Sequence, residues 1–173
     1  MRQVLIYGGM GGIGLATARA LRARGYALHL AARDGDRLVQ AADELGDTTF
    51  TVGDRDFFAA VSEAVGPSLA GLVYAVGTIN LRLIGRLTRV DVETDFRINA
   101  LGAFSAVQSA AAALKSGAGE SGSGVVLFST VAVAQGFPAH TWWRWQRVPS
   151  RGSACRSRPN WHRRCGSTWS RPL

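Results

Sequence analysis

Val4-Leu5-Ile6-Tyr7-Gly8-Gly9-Met10-Gly11-Gly12-Ile13-Gly14-Leu15 opens the chain with an apolar tetrad, a run of glycines and the start of a helical period. Four consecutive apolar side chains leave no polar face, as in a strand buried on both sides of a parallel sheet. Beyond the glycines, Leu15, Ala18, Leu21 and Arg22 recur at three-to-four spacing, which predicts a helix ending at Gly25. Gly8, Gly12 and Gly14 thus occupy a strand-to-helix turn with the spacing Gly-x-x-x-Gly-x-Gly. Backbone N–H groups at a helix N-terminus hold a pyrophosphate in such a turn, provided no Cβ bars its approach. Gly8, Gly12, Ile13 and Gly14 are therefore the expected cofactor-facing residues. Gly8 allows the tight turn, Gly12 brings the phosphate close, and Gly14 lets helix pack on strand. A glycine pattern alone also suits a merely flexible turn; the strand before it and the helix after it favour the dinucleotide.

The same rhythm continues downstream. Ala27–Ala31 reads as a second strand, and Arg37–Leu45 as a helix with Asp34 or Asp36 as N-cap. Thr48–Val52 is a third strand and Phe57–Val65 a third helix. Leu72–Val76, closed by Gly77, is a fourth strand. Asp91–Lys115 contains a long helix, residues 116–124 form a Gly/Ser/Ala-rich loop, and Val125–Phe128 is a fifth strand closing on Ser129-Thr130. Alternating strands and helices with connections of ordinary length imply parallel units with right-handed crossovers.

These residues resemble the short-chain dehydrogenase/reductase family, whose glycine motif has this spacing. The resemblance covers residues 1–140 and implies a Rossmann-like, doubly wound parallel α/β sheet of strand order 3-2-1-4-5, incomplete at its C-terminal side. It implies hydride transfer between a nicotinamide and a carbonyl or alcohol. Where the family has Asn-Asn-Ala-Gly, only Gly77 matches. Asn99, in Arg97-Ile98-Asn99-Ala100, matches the helix asparagine that supports a proton-relay water in the family. Thr130 stands at the position of the family's catalytic serine. Arg33, at the end of the second strand, faces the place where an arginine would meet a 2′-phosphate and an acid a 2′-hydroxyl. It favours NADP, and Asp34 beside it keeps NAD open.

The family's Tyr-x-x-x-Lys is missing. The three tyrosines are Tyr7, Tyr26 and Tyr74, and the single lysine is Lys115. Loss of a general acid alone costs typically 10²–10⁴ in rate.

Composition changes abruptly at Thr141. Residues 1–140 carry 12 basic and 12 acidic side chains, whereas 141–173 carries 8 arginines and no acid, hence the whole net charge of +8. All five tryptophans and both cysteines lie there as well. Tryptophan has a single codon, TGG, so parts of the underlying message are known. Read two bases later, Trp142-Trp143 must give valine, Trp145-Gln146 alanine, Asn160-Trp161 leucine and Trp161-His162 alanine. Permitted choices from Trp145 spell Ala-Lys-Gly-Ala-Val-Glu-Gly-Leu, and from Cys165 Arg-Val-Asn-Val-Val-Ala-Pro, which resemble the family's active-site helix and sixth strand. Four places before the recovered lysine the forced residue is valine, not tyrosine. The expectation is a NAD(P)-binding domain over 1–140 and a non-native, disordered Arg/Trp-rich tail over 141–173, produced by a frameshift near 141.

On this reading the chain binds a dinucleotide weakly and turns over little. Its fifth strand becomes an exposed edge, with low solubility and a low or absent melting transition. A small-molecule carbonyl or alcohol is the expected partner, and the homo-oligomer implied by the family is expected to be impaired here. No metal spacing is present. No apolar run approaches the roughly 20 residues that cross a bilayer, and a cytoplasmic location follows by default. The competing readings are a dinucleotide-binding protein without chemistry and a body whose basic, Trp-rich tail grips nucleic acid. The tail has no repeat or amphipathic period, which weighs against nucleic acid.

Overall fold

The computed structural model describes residues 2–54, 57–120 and 122–130. The Arg/Trp-rich segment 141–173, on which the disordered-tail reading falls, lies outside them.

Five strands form one parallel sheet: β1 (Gln3–Tyr7), β2 (Ala27–Ala32), β3 (Thr48–Val52), β4 (Gly71–Tyr74) and β5 (Gly124–Leu127). Their order is β3-β2-β1-β4-β5, as expected for the doubly wound sheet. β1 sits between β2 and β4 in register, Leu5 opposite His29 on one side and Leu72 on the other. Helices α1 (Gly12–Arg22), α2 (Gly35–Leu45), α3 (Phe58–Val65), α4 (Arg89–Phe96) and α5 (Gly102–Ser116) make the crossovers.

Alternation along the strands divides the core into two layers. Leu5, Tyr7, Leu72 and Tyr74 point to one face, where Val61 and Val65 of α3 and Ala103, Ala106, Ala110 and Ala113 of α5 cover them. Val4, Ile6, Leu28, Leu30 and Val73 point to the other, beneath Ala18 of α1 and Leu38, Ala41 and Leu45 of α2. The apolar tetrad is buried throughout, which is why it lacks a polar face. Alanines on α5 let that helix lie close to the sheet, and Gly117 goes further: a Cβ there would overlap the Leu69 carbonyl.

Several boundaries differ from the sequence expectation by one or more residues. β4 stops at Tyr74 rather than Val76; one further bond, Ala75 N to Tyr7 O at 2.9 Å, follows before the chain leaves the sheet beside Gly8. β5 runs one residue earlier, Gly124–Leu127. α2 starts at Gly35 rather than Arg37, and of the two N-cap candidates Asp34 is the cap, its carboxylate accepting from Arg37 N at 3.1 Å. The long helix is interrupted by a π-turn over Arg97–Leu101, where Gly102 N reaches back to Arg97 O. The cause is Tyr74, whose hydroxyl donates to Ile98 O at 2.7 Å and draws that carbonyl from the helical ladder. Gly102 makes the room, since a Cβ there would overlap the Tyr74 hydroxyl.

Candidate functional site

The strand order reverses between β1 and β4, and ligands of open parallel sheets sit outside the carboxyl ends of the strands at such a point. Gly8 leaves β1 there with φ +77°, a left-handed conformation that suits glycine. A Cβ on it would also lie 2.8 Å from the Ala75 carbonyl oxygen. Gly11 N then donates to Gly8 O at 3.0 Å, and Leu15 N to Gly11 O at 2.7 Å, so turn and helix follow without a break. Gly14 is buried, and a Cβ on it would overlap the Gly8 carbonyl. Its close approach is thus to the turn, not to the strand itself. Gly12 and Ile13 are exposed, and the space a Gly12 side chain would fill is open to 4 Å. α1 starts at Gly11 with no side-chain cap and no acid in its first turn. Its first amides have no partner within the helix and the positive end of the helix dipole behind them. The turn fits a pyrophosphate.

On the β2 side, Arg33 follows the strand and is exposed. Asp34 next to it is engaged as the α2 cap. Arg37, one helical turn further, sends its guanidinium to Met10 O at 3.3 Å and so lies over the glycine turn. Sequence reasoning missed Arg37; the available signal was its spacing of four from Arg33 across a helix start.

On the β4 side, Gly77 and Asn99 come together: a Cβ on Gly77 would stand 3.2 Å from Asn99 Oδ1. The Asn99 amide spans the next residue, Oδ1 accepting from Thr78 N at 2.9 Å and Nδ2 donating to Thr78 O at 2.8 Å. Asn99 thereby clamps the segment after β4. One turn earlier, Asp95 is 1% exposed and accepts from Asn80 N at 3.3 Å and Asn80 Nδ2 at 2.9 Å. Burial raises the Asp95 carboxyl above its ordinary range, against the lowering effect of the Asn80 donors. Neither Asp95 nor Asn80 stood out in the sequence; the signal was an acid four residues before Asn99. β5 pairs with β4 with Leu127 opposite Tyr74, so Thr130, half-buried beyond the strand, continues from the same end of the sheet as Gly77.

Tyr7 and Tyr74 belong to the core beneath this end of the sheet, with ring centroids 5.9 Å apart. Burial pushes both hydroxyls up to about 12. Neither is tuned to give up a proton near neutral pH.

A profile described as short chain dehydrogenase matches residues 2–142. An uncharacterized oxidoreductase in the mprA 5′ region of Streptomyces coelicolor is 45% identical over 84 residues, 48% of this chain and 33% of that protein. A short-chain dehydrogenase/reductase family protein of known structure superposes with a TM-score of 0.72 at 28% identity, over 82% of this chain and 60% of the other. The alcohol dehydrogenase from the archaeon Thermococcus sibiricus, complexed with 5-hydroxy-NADP, gives 0.74 at 25% identity, covering 83% and 64%. The chain thus spans a third of the curated relative and less than two thirds of these structures. Among the described residues no helix is long and apolar enough to cross a membrane.

Proposed function

The chain belongs to the short-chain dehydrogenase family, and from that premise we propose that it binds NADP across the β1–β4 crevice as a carbonyl/alcohol oxidoreductase of low turnover. The carrying observation is the glycine turn, open at Gly12, with the Arg37 guanidinium on Met10 O and exposed Arg33 following β2 beside it. Asp34, the acid nearest the place of a 2′-hydroxyl, uses one carboxylate oxygen as the α2 cap. Two exposed arginines at this end of β2 suit a 2′-phosphate. Bound there, the nicotinamide supplies or accepts a hydride at the substrate carbon. The amides of Gly12, Ile13 and Gly14 hold the pyrophosphate, and Gly77 leaves the nicotinamide side uncrowded. Proton transfer falls to the Thr130 hydroxyl or to a water beside Asn99, since the sequence has no Tyr-x-x-x-Lys and its buried tyrosines are held protonated. That proton route is the reason for expecting slow turnover. The same observation favours, as a second reading, a dinucleotide-binding protein without chemistry.

The partner is then a small carbonyl or alcohol in the cytoplasm rather than nucleic acid, and the family's homo-oligomer is impaired in this chain. The segment 141–173 is read as the product of a frame slip near codon 141, because three of the four codons fixed by tryptophan fit the family's pattern in the shifted frame, the fourth giving valine in place of the family's tyrosine. The coding DNA tests this: a single-base change near codon 141 should open a frame that runs well past codon 173, and its absence would end the idea.

Titration of the full chain with NADPH and NADH, followed by cofactor fluorescence, tests the cofactor reading. NADPH should saturate at lower concentration. Arg33→Ala and Arg37→Ala should each weaken NADPH about tenfold, the worth of one charge-assisted hydrogen bond, and leave NADH unchanged. Absence of saturable binding by either would overturn the proposal. NADPH consumption with a panel of ketones and aldehydes separates the slow enzyme from the binder.

A further inference from the structure

Three residues spaced four apart on one helical face hold three residues spaced two apart on the segment after β4. Asp91 Oδ2 meets Arg82 Nη1 at 3.2 Å, Asp95 takes both donors of Asn80, and Asn99 brackets the Thr78 backbone. The holding residues come from α4 and the π-turn that follows it. The held segment turns locally at Leu81, where Arg82 N donates to Asn80 O at 3.1 Å. Ile79 and Leu81, between the rungs, and Leu83, beyond them, are exposed.

The rungs differ in what holds them. The first is an exposed ion pair, and pairs of that kind contribute little. The middle one is a carboxylate 1% exposed, with Asn80 its hydrogen-bond partner in both contacts and no cation within ion-pair distance among the described residues. Burying a carboxylate against an amide rather than a guanidinium is unfavourable for stability alone, since an apolar side chain would fill the place at lower cost. What the carboxylate provides is direction: two acceptor oxygens fix both the backbone and the side chain of Asn80, three residues past Gly77.

We propose that Asp95 is a positioning residue for the nicotinamide end of the dinucleotide site, holding Gly77–Arg82 in register on α4 through Asn80. The inference rests on the cofactor reading above and adds to it a residue that touches neither cofactor nor substrate. The pyrophosphate and adenosine are held by elements that Asp95 does not contact, namely the glycine turn and the start of α2. Loss of its rung therefore acts on one end of the ligand only.

The test compares two ligands on the full chain by calorimetry: NADPH, and 2′-phospho-ADP-ribose, which is the same molecule without its nicotinamide. Asp95→Ala should weaken NADPH about tenfold, the worth of a hydrogen bond to a charged group, and leave 2′-phospho-ADP-ribose as in the parent. Asn80→Ala removes the same rung from the half-buried side without opening the helix contact, and should reproduce the selective loss even if Asp95→Ala fails to fold. Asp95→Asn keeps one acceptor and should fall between. If the variants weaken both ligands equally, or neither, Asp95 is only a structural residue and the proposal is overturned. If the parent chain binds neither ligand, the cofactor reading falls first and takes this inference with it.

Discussion

Gly12 and Gly14 are two residues apart and are glycine for opposite reasons, which substitution should separate. A methyl on Gly14 would overlap the Gly8 carbonyl. Gly14→Ala should therefore destabilise the chain by about 1–3 kcal/mol, the usual cost of overpacking, and NADPH binding should go with it. Gly12 has open space ahead of it and an ordinary helical backbone. Gly12→Ala should keep or slightly raise stability, by up to about 1 kcal/mol for a glycine replaced within a helix, while obstructing the phosphate. Denaturant midpoints and NADPH titrations on the two variants check both halves. His29 makes a different kind of test. It is 2% exposed on β2, with its ring nitrogens at 2.7 and 2.8 Å from the hydroxyls of Thr49 and Thr51. Burial lowers its pKa, so below about pH 6.5, the ordinary value for histidine, the unfolded chain binds the proton that the folded chain refuses. Stability is full above that pH and falls as the pH drops through it toward the lower folded value. His29→Gln should flatten this slope in urea midpoints measured across the range; an unchanged slope would place its origin elsewhere.

At the scale of elements, what could be read from the sequence depended on how local the cause was. Val4–Tyr7 declares itself because burial on both faces removes every polar alternation, and Leu28–Ala31 does so with His29 as its one polar residue. The glycine spacing declares the turn because turn and helix start are contiguous. The end of β4 was not legible, since Leu72–Val76 is apolar throughout and nothing in that run marks where its pairing with β1 ends. The π-turn was not legible either. It depends on a hydroxyl at Tyr74 reaching a carbonyl at Ile98, and no window of sequence contains both causes. Arg37 and Asp95 were missed for the same reason, each being defined by a partner on another element. The Tyr74 contact is testable. Tyr74→Phe leaves the Ile98 carbonyl without that donor and should cost about 1–3 kcal/mol, the penalty for an unsatisfied buried polar group. Because the π-turn carries Asn99, amide exchange at Thr78 should accelerate in the variant more than exchange in β1.

For the molecule as a whole, the two sides of the sheet's central pair are unequal. β4 is buried at every residue, whereas Val125, Val126, Leu127 and Phe128 are between 44 and 55% exposed. In a parallel sheet both faces of a strand are ordinarily covered, and β5 is the last strand among the described residues. An apolar strand in that position invites pairing with other chains. Val126→Lys should raise the soluble fraction and lower light scattering at equal concentration without shifting NADPH affinity; equal scattering would show that β5 is covered in solution. The register of β1 has a temporal consequence as well. Among the described strands this one is synthesised before the others, yet its β4 neighbour begins only at Gly71. At roughly 5–20 residues per second of synthesis, one flank of this apolar strand waits several seconds for its mate. For that interval β1 keeps a bare edge, so any need for a chaperone during synthesis falls earliest on this strand.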